Sequence, residues 1–164
     1  MNRDEVFERA LLRYKRYYNI ILDDVTAPFK AEAIFKSHNE QYYLIKAAKV
    51  ADIDSNEYVF LDSCEVLTLD RLNEIEKIAW ETGLSRIVPS SSHRNSDTTL
   101  IIIADRINQD AFEQVKKLRH YKSFYWGFQG WSNFRVVAIE VSLKRIAYNR
   151  QGRSLKKLFG NILI

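Results

Sequence analysis

Apolar residues in the first eighteen positions recur every three or four residues. Val6, Phe7, Ala10, Leu11, Tyr14, Tyr17 and Tyr18 fall on one stripe, which predicts a helix over roughly 2–18. The period changes after Pro28. In "FKAEAIFK", Phe29, Ala31, Ala33 and Phe35 alternate with Lys30, Glu32, Ile34 and Lys36, as in a strand. The polar "SHNE" (37–40) predicts a turn, "QYYLIKAAKV" (41–50) a partner strand and "EYVFL" (57–61) a third. Thr68 is a plausible cap for a second helix, with Asp70 in its first turn and Leu69, Leu72, Ile75 and Ala79 as its apolar stripe. Gly83 supplies a left-handed stop.

The loop "PSSSHRNSD" (89–97) leads into "TTLIIIAD", apolar on both faces as a central covered strand would be. Asn108 can cap a third helix reaching His120. A strand is predicted near 122–128, a turn at Gln129–Gly130, and a strand in "FRVVAIEVS". "RIAYN" is a further short strand, and "RQG" turns into a basic C-terminal helix. The expected fold is α+β, a mixed, mostly antiparallel sheet flanked by helices in the order α-β-β-β-α-β-α-β-β-(β)-α. At 164 residues, with five glycines and two prolines, a single domain over 1–164 is expected.

The longest purely apolar run, "LIIIA", is far short of the roughly 20 residues that span a bilayer. The N-terminus alternates charge with apolar residues, unlike a signal peptide, and the single cysteine, Cys64, cannot form an internal disulfide. A cytoplasmic location is the expectation. Charge is uneven: residues 1–113 carry 14 Lys/Arg and 20 Asp/Glu, whereas 114–164 carry 11 Lys/Arg and one acid, Glu140. Such asymmetry either marks a basic contact face or averages out once the chain folds. If it is a face, the candidates for nucleic-acid contact are Lys116, Lys117, Arg119, Lys122, Lys144, Arg145, Arg150, Arg153, Lys156 and Lys157.

Within "KSFYWGFQGWSNFR" (122–135) six rings stand beside basic residues. Phe124, Trp126 and Phe128 alternate with Ser123, Tyr125 and Gly127, which suits a core-facing strand edge. The same rings suit a stacking surface, for which Tyr125 and Trp131 are the candidates.

Catalytic and metal signatures fail on specific residues. The opening α-β-β-β-α-β order resembles the core of restriction-endonuclease-like nucleases, which need Asp/Glu-x-Lys on one strand. No lysine here has an acid two residues before it, although Glu32, Glu57 and Lys46 can meet across the first sheet. "DIDSNE" starts like a calcium loop, but Glu57 and Ser63 stand where Gly and Glu are required. "GWSNF" lacks the second glycine of a nucleophile elbow, so Ser132 reads as a turn serine. No glycine-rich phosphate loop exists, and His38, His93 and His120 have no metal-ligand spacing. No cofactor and no metal are expected. The polar cluster Ser92, His93, Arg94 and Asp97 can grip an anion, or supply an acid or base, or be a solvated loop.

The segments "QYYLIKAAKV", "NEYVFLDS", "VPSSSHRN", "YKSFYWGFQGWSNFR" and "YNRQGRSLKKL" resemble a family of small uncharacterised bacterial proteins. The resemblance covers most of the chain. It implies a small bacterial cytoplasmic protein and supplies no functional residues. Three roles stay open: a domain contacting nucleic acid through its basic C-terminal third, a protein-interaction or self-assembling domain, or an enzyme of unrecognised type using 89–97. The tail "RSLKKLFGNILI" adds an apolar stripe, Leu155, Phe159 and Ile162, that either docks on the core or lies on a membrane surface.

Overall fold

A computed structural model describes residues 1–36, 54–89 and 93–163. The predicted turn at 37–40 and strand at 41–50 lie outside these residues. Helix α1 (Arg3–Lys15) starts at Asn2, whose side chain accepts from Glu5 N–H while the Glu5 carboxylate accepts from Asn2 N–H. The strands are β1 (Asn19–Ile21), β2 (Ala31–Lys36), β3 (Asp54–Leu67), β4 (His93–Ile107), β5 (Tyr121–Ser123), β6 (Trp131–Glu140) and β7 (Arg145–Tyr148). Helices α2 (Leu69–Ser85), α3 (Gln109–Lys117) and α4 (Arg153–Phe159) complete the described elements.

The letter order matches the expectation, but β1 was not foreseen. "NII" is too short to show a period of two. Pairing is antiparallel for β1–β2, β2–β3, β5–β6 and β6–β7, and parallel for β3–β4 and β4–β6. The sheet is therefore mixed and mostly antiparallel. Strand β4 sits at its centre, and Thr98–Ala104 are all buried, as a run apolar on both faces requires.

Two cores follow from this layering. On one face, Phe60, Leu100, Ile102, Phe134 and Val136 meet Leu72, Ile75 and Ala79 of α2 and Ala111, Phe112 and Val115 of α3. On the other, Val59, Leu61, Ile101, Ile103, Val137 and Ile139 meet Val6, Ala10, Leu11 and Tyr14 of α1 and Leu155 and Phe159 of α4. The tail stripe Leu155, Phe159 and Ile162 is buried in this second core, so it docks on its own domain.

Local signals were read correctly at Thr68, whose hydroxyl accepts from Arg71 N–H at 3.2 Å. Asn108 holds the cap position of α3 without a side-chain cap bond. Gly83 is a correction: α2 runs on to Ser85, and a Cβ at Gly83 would stand 2.1 Å from Thr98 Oγ1. Its role is close approach of helix to sheet. Helix α3 stops at Lys117, three residues before His120. The His120 ring instead stacks on Trp80 at 5.3 Å and pairs with Glu76 at 2.6 Å.

Candidate functional site

Strand β6 pairs with β4 along one side, so β5 and β7 both lie on its other side, one after the other along a single sheet edge. This edge gathers the basic residues. Lys116 and Lys117 end α3 on one face of the sheet, while Arg153, Lys156 and Lys157 belong to α4 on the opposite face. Between them lie Arg119 in the loop before β5, Lys122 on β5, Lys144 and Arg145 at the β6–β7 turn, and Arg150 after β7. The ten charges belong to elements on both faces of the sheet and do not share one face.

Part of this charge is used internally. Arg145 donates to Glu140 at 2.6 and 2.7 Å and lies over the Phe112 ring at 4.4 Å. Lys116 pairs with Glu113 at 2.8 Å and sits over the same ring at 4.8 Å. Lys156 stands over Tyr148 at 5.5 Å. Lys117, Arg119, Lys122, Lys144, Arg150, Arg153 and Lys157 form no salt bridge among the described residues. All seven side chains are exposed.

The aromatic stretch corrects the expected strand over 122–128. Strand β5 ends at Ser123, and Tyr125–Gly127 form a single 3-10 turn. Alternation then no longer sorts the rings. Phe124 packs against the first core, but Trp126 is 96% exposed, Phe128 80% and Tyr125 69%. Trp126 and Phe128, read from spacing as core-facing, are the most exposed rings of the stretch. Trp131, the first residue of β6, is just over a third exposed. Gly127 and Gly130, both at positive φ, were the signal for a loop here. Ser132 is likewise no turn residue: it is buried in β6 and donates to the Ser96 carbonyl.

The 89–97 segment divides. Ser92 lies outside the described residues, and the backbone of His93 and Arg94 already belongs to β4. Asp97 is a buried strand residue whose Oδ2 accepts from Arg135 of β6. Its Oδ1 is closed to solvent and unpartnered. Glu57 on β3, the register partner of Asp97, accepts from Thr99 at 2.7 Å and from the Tyr18 hydroxyl, with Arg135 at 3.7 Å. The buried Tyr14 hydroxyl lies in the same field without a partner. Burial first, then the Glu57 charge, raises the pKa of both tyrosines. This arrangement joins α1 to the middle strands around the buried Asp97. Glu32 and Glu57 lie on opposite faces: Glu32 accepts from Arg86 beside the first core, whereas Glu57 faces α1. They do not converge, and Lys46 is outside the described residues.

Asn149 carries no catalytic or metal-binding signature in the sequence, yet it is fully buried at the head of the basic edge. Its Oδ1 accepts from Val136 N–H at 3.0 Å and Gly152 N–H at 2.8 Å, and its Nδ2 donates to the carbonyls of Leu118 and Phe134 at 3.0 and 2.8 Å. One buried amide thus ties β6, the end of α3 and the start of α4 into the basic edge. Gly152 is required beside it, since a Cβ there would stand 2.5 Å from the Val136 carbonyl oxygen. Cys64 is not a reactive thiol. Burial first, then Asp62, pushes its pKa up to about 11. No helix among the described residues is long and apolar enough to cross a membrane, and no cluster of three or more His, Cys, Asp or Glu among them could hold a metal ion.

Residues 2–161 match the family model described as Domain of unknown function (DUF8052). No curated protein and no solved structure gives a significant match.

Proposed function

Since the chain belongs to the DUF8052 family of domains of unknown function, its role has to be read from its own surface, and we propose that it is a binding domain for nucleic acid in the bacterial cytoplasm. One observation carries this reading. The elements along the edge made by β5 and β7 bring cations from both sheet faces, and of the ten only Lys116 and Arg145 form a salt bridge among the described residues. A rim of that kind can follow a phosphate backbone, because phosphate contacts need charge along a line and little else. Asn149 fixes the three segments that present it.

A protein partner or a second copy is the alternative, and the exposed Tyr125, Trp126 and Phe128 favour it. Duplex titrations at about 50 and 200 mM salt separate the two. With roughly four to six phosphates contacted, the log–log salt slope should be about −4 to −5. Lys117→Ala and Lys122→Ala should each make it shallower by about 1. A shallow slope that these variants leave unchanged removes the basic edge as the contact surface. Absence of binding at low salt, with a concentration-dependent mass in light scattering, establishes the alternative.

A further inference from the structure

Resting on the nucleic-acid reading above, we infer that the tip of the β5–β6 hairpin selects unpaired bases, with Trp126, Phe128 and Tyr125 as a stacking platform and Arg119 and Lys122 holding the adjoining phosphates. The tip is a built feature. Phe124 N–H donates to Gly130 O at 2.9 Å, and Gly127 and Gln129 N–H both donate to Phe124 O, at 3.0 and 3.1 Å. The Phe124 ring, packed against the first core, anchors the loop. Tyr125 and Trp126 are held at φ +47° and +59°, a left-handed conformation that large L side chains adopt only at a cost.

A loop that merely reversed the chain would be served by Asn, Asp, Ser or Gly at these positions, and would leave no large ring in water. This one fixes the backbone that carries three exposed rings, so little backbone ordering is left to be lost when a flat ligand stacks on them. The charge alongside identifies the ligand. Lys122 is exposed on β5, three residues before Tyr125, and Arg119 is exposed at the base of the hairpin; residues 114–139 contribute no carboxylate of their own, and Glu76 of α2 reaches only His120, at that base. Exposed aromatic faces on a hairpin whose strand carries a cation with no salt bridge among the described residues match the two chemistries of a single strand, its exposed base faces and its phosphates. In a duplex the base faces are covered by their neighbours, so the rings have nothing to stack on. The inference therefore requires unpaired nucleotides.

The test compares binding of labelled oligo-deoxythymidine of about 12 nucleotides, a site size within the usual range, with a duplex of equal length. Trp126→Ala and Phe128→Ala are each expected to weaken single-strand binding roughly 5- to 100-fold while leaving duplex affinity within about twofold. Their thermal unfolding should match the wild type, because exposed rings contribute little to stability. Equal effects on both substrates, or none on either, overturn the inference while leaving the nucleic-acid reading intact. Failure of the wild type to bind either substrate at low salt overturns both. Self-association of the wild type that Trp126→Ala abolishes, with oligonucleotide binding unchanged, also overturns the inference by assigning the rings to a second copy.

Discussion

Arg86, at the C-terminal end of α2, donates to the Glu32 carboxylate on β2 at 2.5 Å, and Glu32 is almost wholly buried. Fifty-four residues separate the partners. Glu32 also accepts from Thr26 N–H at 2.7 Å, and the guanidinium lies over the Phe60 ring at 5.2 Å. Removing Arg86 leaves a buried carboxylate with Thr26 as its one remaining partner among the described residues. Arg86→Ala should therefore cost about 3 kcal/mol, the low end for breaking a buried pair, since the arginine is partly exposed. Urea unfolding measures it. Glu32→Leu combined with Arg86→Met should cost much less, because no charge is then stranded.

The same pair sets an acid limit. Burial alone raises the Glu32 pKa, but the hydrogen bond from Arg86, those from Thr26 and the arginine's charge outweigh it, and the net shift is downward. The unfolded carboxyl then takes up its proton first as pH falls. Its contribution is complete above the unfolded value, about 4.3, and is lost as pH drops through the lower folded value. Urea midpoints measured from neutral pH to about pH 3 should fall more steeply in the wild type than in Glu32→Gln.

Asn149→Ala removes the side-chain partner of Val136 N–H and of the Leu118 and Phe134 carbonyls at the junction of β6, α3 and α4, while Gly152 N–H keeps its bond to the residue-149 carbonyl. With about 1–3 kcal/mol for each buried group left unpaired and partial relief by water, a loss of about 3–5 kcal/mol is expected. If the edge is the nucleic-acid surface, affinity should fall with stability in this variant. Unfolding and binding curves on one preparation report both.

Among the described residues two hydroxyls are buried without partners, Thr98 Oγ1 and Tyr14 Oη. Thr98→Val and Tyr14→Phe each remove an unsatisfied group and keep the packing shape. Each should raise stability by about 1 kcal/mol. Lower thermal midpoints in both would show that the hydroxyls have partners in solution.

Gly83→Ala drives a methyl group to 2.1 Å from Thr98 Oγ1 and should cost about 2–3 kcal/mol through overpacking. Adding Thr98→Ala should recover part of that loss. The double-mutant coupling energy measures how much of the cost comes from this one approach.

Much of the architecture is legible at short range. The 3.6 period over "VFERALLRYK", the Thr68 cap and the two-sided apolar run of β4 each depend on residues a few positions apart, and each stands in the structure. The misreadings share a cause. Gly83 looked like a helix stop because a glycine's local meaning is conformational, whereas its use here is set by Thr98 on another element. Alternation placed Trp126 and Phe128 in a core, but alternation has meaning only while a strand lasts, and β5 ends at Ser123.

By itself, then, the sequence determined the helices, the central strand, the order of elements and the basic C-terminal third with its single acid, Glu140. Those properties arise from local periodicity, capping and composition. Only the tertiary structure decided that β5 and β7 share one edge of β6, that Arg135 closes over Asp97, and that three aromatic rings point into water. Strand pairing between distant segments is chosen by which arrangement buries β4 and β6 on both faces. That choice is a global packing requirement, and no window of neighbouring residues contains it.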